Sequence, residues 1–215
     1  MSEAKQAILA RLRANLSDPE TRRGAVEQRL DAHARGPAPA VGADAAADFI
    51  ARLEAAAATV VRVHDGDAVV AEASAYLEQR ELPPRLLLAD DPWLQGVAWP
   101  QALQIDVGAA APDSLVCLSA AYAGIAETGS LVLLSGPVTP TGLNFLPDHY
   151  LCLLRTRDIV PRIDDLWGRL RAEGRAMPRA LNLITGPSRT ADVEQTIQLG
   201  AHGPRSLHVL LLDEA

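Results

Sequence analysis

"TVVRVHDGDAVVAEASAYLEQRELPPRLLLAD", residues 59–90, decides the fold. A short β-branched run, Thr59 to Val63, has the length of a strand. A helical pattern holding Val69, Val70 and Tyr76 follows, and a second apolar run, Arg85 to Asp90, closes the stretch. Strand, helix and strand in so short a span form a βαβ unit, the building block of a largely parallel sheet.

The alternation continues on both sides. A helix through Phe49, Ile50 and Leu53 leads into the first strand, and shorter strands are expected at "LQIDV" (103–107) and "DSLVCLS" (113–119). "AYAGIA" (121–126) and "LVLLSG" (131–136) flank "ETGS", which reads as a hairpin with Gly129 at its positive-φ position. "HYLCLL" (149–154) follows a loop rich in Pro, Thr and Gly. "VPRIDDLWGRL" (160–170) reads as a helix with Pro161 in its first turn. "RALNLIT" (179–185) and "SLHVLLLD" (206–213) are the last strands, the former apolar throughout as a central strand buried on both faces would be.

Ahead of this body, Ile8, Leu9, Leu12 and Leu16 recur at helical spacing, and a second helix through Val26 and Leu30 follows "SDPE", where Asp18 or Ser17 serves as cap. "GPAPAVG", Gly36 to Gly42, breaks the pattern and reads as a linker. The expected division is therefore an N-terminal helical arm and linker over residues 1–42 and an α/β domain over residues 43–215.

With 215 residues, 48% hydrophobic and a net charge of -7, the chain can bury a core and has no broad affinity for nucleic-acid phosphates or an anionic membrane. The start has no secretory h-region and no run reaches membrane-spanning length, so a soluble cytoplasmic protein without membrane insertion is expected. Cys117 and Cys152 sit singly in apolar segments and read as buried thiols. Two cysteines cannot hold an ordinary iron–sulfur cluster, which takes four thiolates. No P-loop, Gly-x-Gly-x-x-Gly, His-Glu-x-x-His or Gly-x-Ser-x-Gly occurs, and "HDGD" at 64–67 reads as a turn rather than a metal site.

Chemistry concentrates in three places. "ITGPSRTADVE" (184–194) follows a strand at the edge where open α/β sheets keep their ligands, and Asp192 with Gln195 resembles a capping box for a short helix stopped by Gly200. Gly186, the Ser188 and Thr190 hydroxyls, the Arg189 fork and the free N–H groups of that helix would grip a carboxylate or phosphate. Equally, Gly-Pro simply turns the chain, Ser and Asp cap a helix and Arg189 is solvated. "GAHGPRS" (200–206) holds His202 beside Gly203, as acid, base or anion donor, or as a structural loop histidine. In "ETGS", Glu127 is either an exposed hairpin residue or a nucleophile or base, with Thr128, Gly129 and Ser130 beside it. The loop "GPVTPTGLNFLPDH" (136–149) offers Asn144 as a ligand-facing amide, or is an inert connection.

Together "IAETGSLVL", "LNLITGPSRTADVE" and "GAHGPRSLHVLLLD" resemble the lactate-utilisation protein C family, whose members consist of a single LUD domain. The resemblance runs from about Ala43 onward, with its three signatures in order and spacing. It implies a fold like that of ribose-phosphate isomerases and CoA transferases: a three-layer α/β/α sandwich with a mostly parallel sheet, carrying here a β-hairpin insertion and the helical arm. It also implies a part in oxidising L-lactate to pyruvate as the subunit without iron–sulfur clusters, no cofactor being bound by this chain and the clusters residing on partner proteins. On that reading a crevice at the sheet edge binds a small carboxylate or phosphate-bearing ligand or a companion subunit. The alternatives are a self-sufficient acyl-transfer or ATP-dependent ligase enzyme using Glu127, and a non-catalytic scaffold.

Overall fold

The computed structural model describes residues 3–16, 18–33, 35–37, 40–111, 113–190, 198–199 and 203–213. The chain divides into two units, residues 1–38 and 39–215. The first holds helices α1 (Glu3–Ala14) and α2 (Pro19–Ala32). Asp18 is the residue that caps α2, accepting the N–H groups of Glu20 and Thr21. The apolar positions of this unit, Ile8, Leu12, Leu16, Val26 and Leu30, are exposed.

In the second unit α3 (Ala45–Ala55) is capped by Asp44 and leads to β1 (Thr59–Val63). Asp65 of the "HDGD" turn accepts the Ala68 N–H and starts α4 (Gly66–Gln79), which returns the chain to β2 (Arg85–Leu88). The short α5 (Pro92–Gln95), β3 (Gln104–Val107) and β4 (Val116–Ala120) follow. Then come β5 (Ala123–Ile125), β6 (Ser130–Leu134), α6 (Gly142–Phe145) and β7 (His149–Arg155). The described elements end with β8 (Ile159–Val160), α7 (Ile163–Ala172), β9 (Leu181–Ile184), β10 (Arg189–Thr190), β11 (Gln198–Leu199) and β12 (Ser206–Leu212).

Six strands form one sheet in the order β1-β12-β7-β4-β2-β3, and every neighbouring pair is parallel. At its centre the period of two sorts side chains between two cores. Leu151, Leu153, Leu210 and Leu212 pack with Val69, Ala73 and Leu77 of α4. Tyr150, Cys152, Leu154, Leu207, Val209 and Leu211 face the other way, against Phe49 and Leu53 of α3. Each of these Leu side chains is at most 3% exposed. At about 1.5–3 kcal/mol for a fully buried Leu, the two central strands are the main source of stability.

The "ETGS" hairpin is the middle of a second sheet, β8-β5-β6-β9. Its Leu131 and Leu133 join the α3 core, while Ala123, Ile125 and Val132 meet Leu166 and Leu170 of α7. Two sequence expectations change here. "LNLI" is not a central parallel strand: β9 runs antiparallel to β6 at the end of the second sheet, with Leu183 43% exposed. Pro161 lies before α7 rather than in its first turn, because Val160 is held in β8 beside Ile125 and Arg162 takes the N-cap position. A third difference is that Gln198 and Leu199, expected within the short helix opened by Asp192, pair with Thr190 and Arg189 instead. Residues 191–197 lie outside the described residues.

Both signature glycines sit on the end of α3. Gly129 has φ 67° and its Cα lies so near the helix that a Cβ would come within 2.7 Å of the Leu53 nitrogen. Gly186 has φ 80°, and a Cβ there would collide with the Ala56 carbonyl oxygen. Gly129→Ala and Gly186→Ala should each cost more than about 2 kcal/mol in urea unfolding, from left-handed strain together with the clash. Gly136→Ala, which meets nothing within 4 Å, should be near neutral in the same assay.

Candidate functional site

The candidate site is a cavity of about 300 Å³ at the amino ends of the two central strands. Tyr150 and Leu207, the second residues of β7 and β12, form its base. Leu183 and Ile184 of β9, Phe145 of α6, and Pro187 and Pro204 make its apolar walls. Sequence reasoning expects the carboxyl edge of a parallel sheet; the antiparallel second sheet instead delivers the carboxyl end of β9 to the amino ends of β7 and β12.

The loop after β9 and the loop before β12 are fastened together. The Ser188 N–H donates to the Pro204 carbonyl at 2.8 Å, and a Cβ on Gly203 would lie 3.1 Å from Ser188 Cβ. The Arg205 N–H donates to the Asp148 carbonyl, which ties the second loop to the residue before β7. Arg189 is exposed, and its Nη2 donates to the Ala56 carbonyl at 2.8 Å, so the guanidinium is anchored to the end of α3.

Polar groups also lie at the bottom. Tyr150 is fully buried, and its hydroxyl meets Ser119 Oγ at 2.7 Å. Ser119 Oγ also reaches Asn144 Oδ1 at 3.4 Å. Asn144 is 1% exposed and lines the cavity, and its Nδ2 has no acceptor among the described residues. Burial pushes the Tyr150 hydroxyl well above its ordinary range, so this floor is uncharged. The thiol of Cys152 is likewise pushed up to about 12 by burial, and that of Cys117 is raised too; both stay protonated and are poor nucleophiles.

Of the residues singled out from sequence, Asn144, Gly186, Ser188, Arg189 and Gly203 line this one cavity. Thr190 belongs to β10, and Asp192 and His202 lie outside the described residues. The "ETGS" residues are not in the lining. Glu127 Oε1 accepts the Ile163 N–H at 2.8 Å, supplying the cap of α7 that Arg162 does not, and its own N–H donates to the Pro161 carbonyl. Thr128 and Ser130 share a hydrogen bond, and Ser130 bonds Thr185, the residue before Gly186. The two signatures are thus joined by hydroxyls while only one of them faces the cavity.

Sequence reasoning missed a cluster on the opposite face of the large sheet. Tyr76 Oη, His149 Nδ1 and Ser206 Oγ lie within 3.0 Å of one another, under the Arg80 guanidinium stacked 4.0 Å from the Tyr76 ring. Nearby, His208 is 4% exposed, with Nδ1 on Thr59 Oγ1 at 2.6 Å and Nε2 3.3 Å from Glu72. The one signal available was alternation: in "HY" at the start of β7 the two side chains must point to opposite faces.

Glu127→Ala should lower stability by about 1 kcal/mol in urea unfolding, the usual worth of a lost helix cap, while Glu127→Gln, whose amide oxygen still accepts, should keep most of it. Burial is the largest cause lowering the pKa of both His149 and His208. An unfolded histidine takes a proton near pH 6.5 and the folded one resists it, so their contribution is full above that pH and is lost as pH falls through the lowered folded values. Unfolding free energies measured between pH 7 and pH 5 should decline with acid, and His208→Gln should flatten the decline.

Comparison with known proteins agrees with this architecture. The LUD domain model matches residues 45–212. An uncharacterized protein of Neisseria meningitidis, NMB1437, is 38% identical over 94 residues, covering 44% of this chain and 40% of that protein. Lactate utilization protein C of Halalkalibacterium halodurans and that of Bacillus subtilis are each 34% identical over 93 residues, 41% of this chain and 40% and 39% of theirs. The chain spans about half or less of the length of the curated relatives it matches. A DUF162 family protein from Deinococcus radiodurans shares the fold, with a TM-score of 0.57 over 81% of this chain and 99% of that one at 18% identity. With more than three quarters of its length inside the matched region, the chain belongs to the LUD domain family.

Proposed function

We propose that this protein serves lactate utilisation as a subunit that carries no iron–sulfur cluster and binds a small carboxylate in the cavity beneath the β9 loop. Two observations favour the assignment to that pathway: membership of the family and the names of the matched relatives in Halalkalibacterium halodurans and Bacillus subtilis. The observation that carries the binding role is the seating of Arg189, held by the Ala56 carbonyl at the rim of a cavity that Ser188 also lines. A guanidinium oriented by one hydrogen bond loses less freedom when its fork meets a carboxylate.

The donor set argues against a cluster on this chain itself. Its two thiols are fully buried in different strands and held protonated, where a cluster needs four exposed-to-metal thiolates. Electron transfer then falls to iron–sulfur partner proteins, and this subunit's own work is to hold an anionic ligand. An acyl-transfer or ligase reaction centred on Glu127 gains no such support, since that carboxylate is engaged at the start of α7.

Calorimetric titration with L-lactate, pyruvate and phosphate tests the proposal. Binding of at least one carboxylate is expected, and Arg189→Ala should weaken it about tenfold or more, the worth of a hydrogen bond to a charged group, while stability falls by no more than the roughly 1 kcal/mol of the lost Ala56 bond. Equal affinity in the variant would remove Arg189 from the site.

A further inference from the structure

The cavity is larger than the ligand its relatives' names bring to mind. At about 300 Å³ it has room for roughly ten waters at ~30 Å³ each and stands at the lower end of the range for drug-sized ligands. Lactate, with six non-hydrogen atoms, leaves most of that space empty.

Its polarity is also ordered by depth. Exposed Arg189 marks the outer end, and the deepest polar groups are the fully enclosed Tyr150 hydroxyl and the Asn144 amide. Apart from Ser188 and two glycines, the rest of the described lining is apolar, with Leu183, Ile184, Pro187, Pro204 and Leu207 among it. The Asn144 amide oxygen already accepts from Ser119 Oγ, so the group this side chain offers a ligand in the cavity is its Nδ2 donor.

We infer that the site takes an elongated monocarboxylate: a carboxylate at Arg189, an apolar or aromatic body along the Leu183–Leu207 walls, and an uncharged oxygen at the far end that accepts from Asn144 Nδ2. The inference rests on the reading of Arg189 as the carboxylate anchor and adds the size and the second polar end. Lactate has a carboxylate and a hydroxyl but no body to hold them apart. The neutral floor rejects a second charge, because a dicarboxylate would bring an anion to the end formed by Tyr150 and Asn144, where the described lining holds no cation.

Four probes separate the elements. 4-Hydroxyphenylacetate carries all three, phenylacetate lacks the distal oxygen, 4-cresol lacks the carboxylate, and L-lactate lacks the body. By calorimetry on the full chain, 4-hydroxyphenylacetate should bind about tenfold more tightly than phenylacetate and at least tenfold more tightly than lactate or 4-cresol. Asn144→Leu should erase the difference between the two aromatic acids; should that variant fail to fold, the comparison on the unmodified protein still decides. Lactate binding as tightly as 4-hydroxyphenylacetate overturns the inference and leaves the carboxylate reading standing, as does equal affinity for the two aromatic acids. 4-Cresol binding as tightly as 4-hydroxyphenylacetate, or no binding of any acid, overturns both.

Discussion

The close approach of two backbone turns to the end of α3 is the constraint on which the rest depends. Gly129 and Gly186 come from loops 57 residues apart, and each is pressed so near the helix that no side chain fits. Arg52 adds a hydrogen bond from its Nη1 to the Ala126 carbonyl, and Arg189 adds one to Ala56. One helix end therefore sets the height of the second sheet and the placement of the cavity's outer wall together. The signature glycines owe their place to this seat before they owe it to any ligand.

Much of the body was legible because its strands obey simple patterning. The run from Thr59 to Val63, the apolar "RLLL" and the long β7 and β12 announce themselves by composition, and the period of two in the central pair assigns each side chain to a face. The site was half legible: Asn144, Ser188, Arg189 and Gly203 were recognised by residue type and do share a cavity. What failed was everything decided by distant partners. "LNLI" has the same composition as a buried central strand, and only its pairing with β6 reveals an edge. Glu127 looks like a reactive carboxylate until the Ile163 amide, 36 residues further on, takes its oxygen.

The two signatures do different work. "ETGS" organises the second sheet, caps α7 through Glu127 and reaches Thr185 by hydroxyls. "TGPSR" lines the hollow. A motif can therefore persist beside a site because it holds the wall in place, without touching what the wall encloses.

The position of β12 has a kinetic consequence. It lies between β1 and β7, and its partner on one side, at Thr59, is 149 residues earlier in the chain. Such a loop must close before β1 can join the sheet, which costs entropy early and returns enthalpy late. Until that insertion, β1 has no neighbour on which to propagate the sheet and β7 has one bare edge. The half-assembled chain is thus the species most exposed to strand exchange with other molecules.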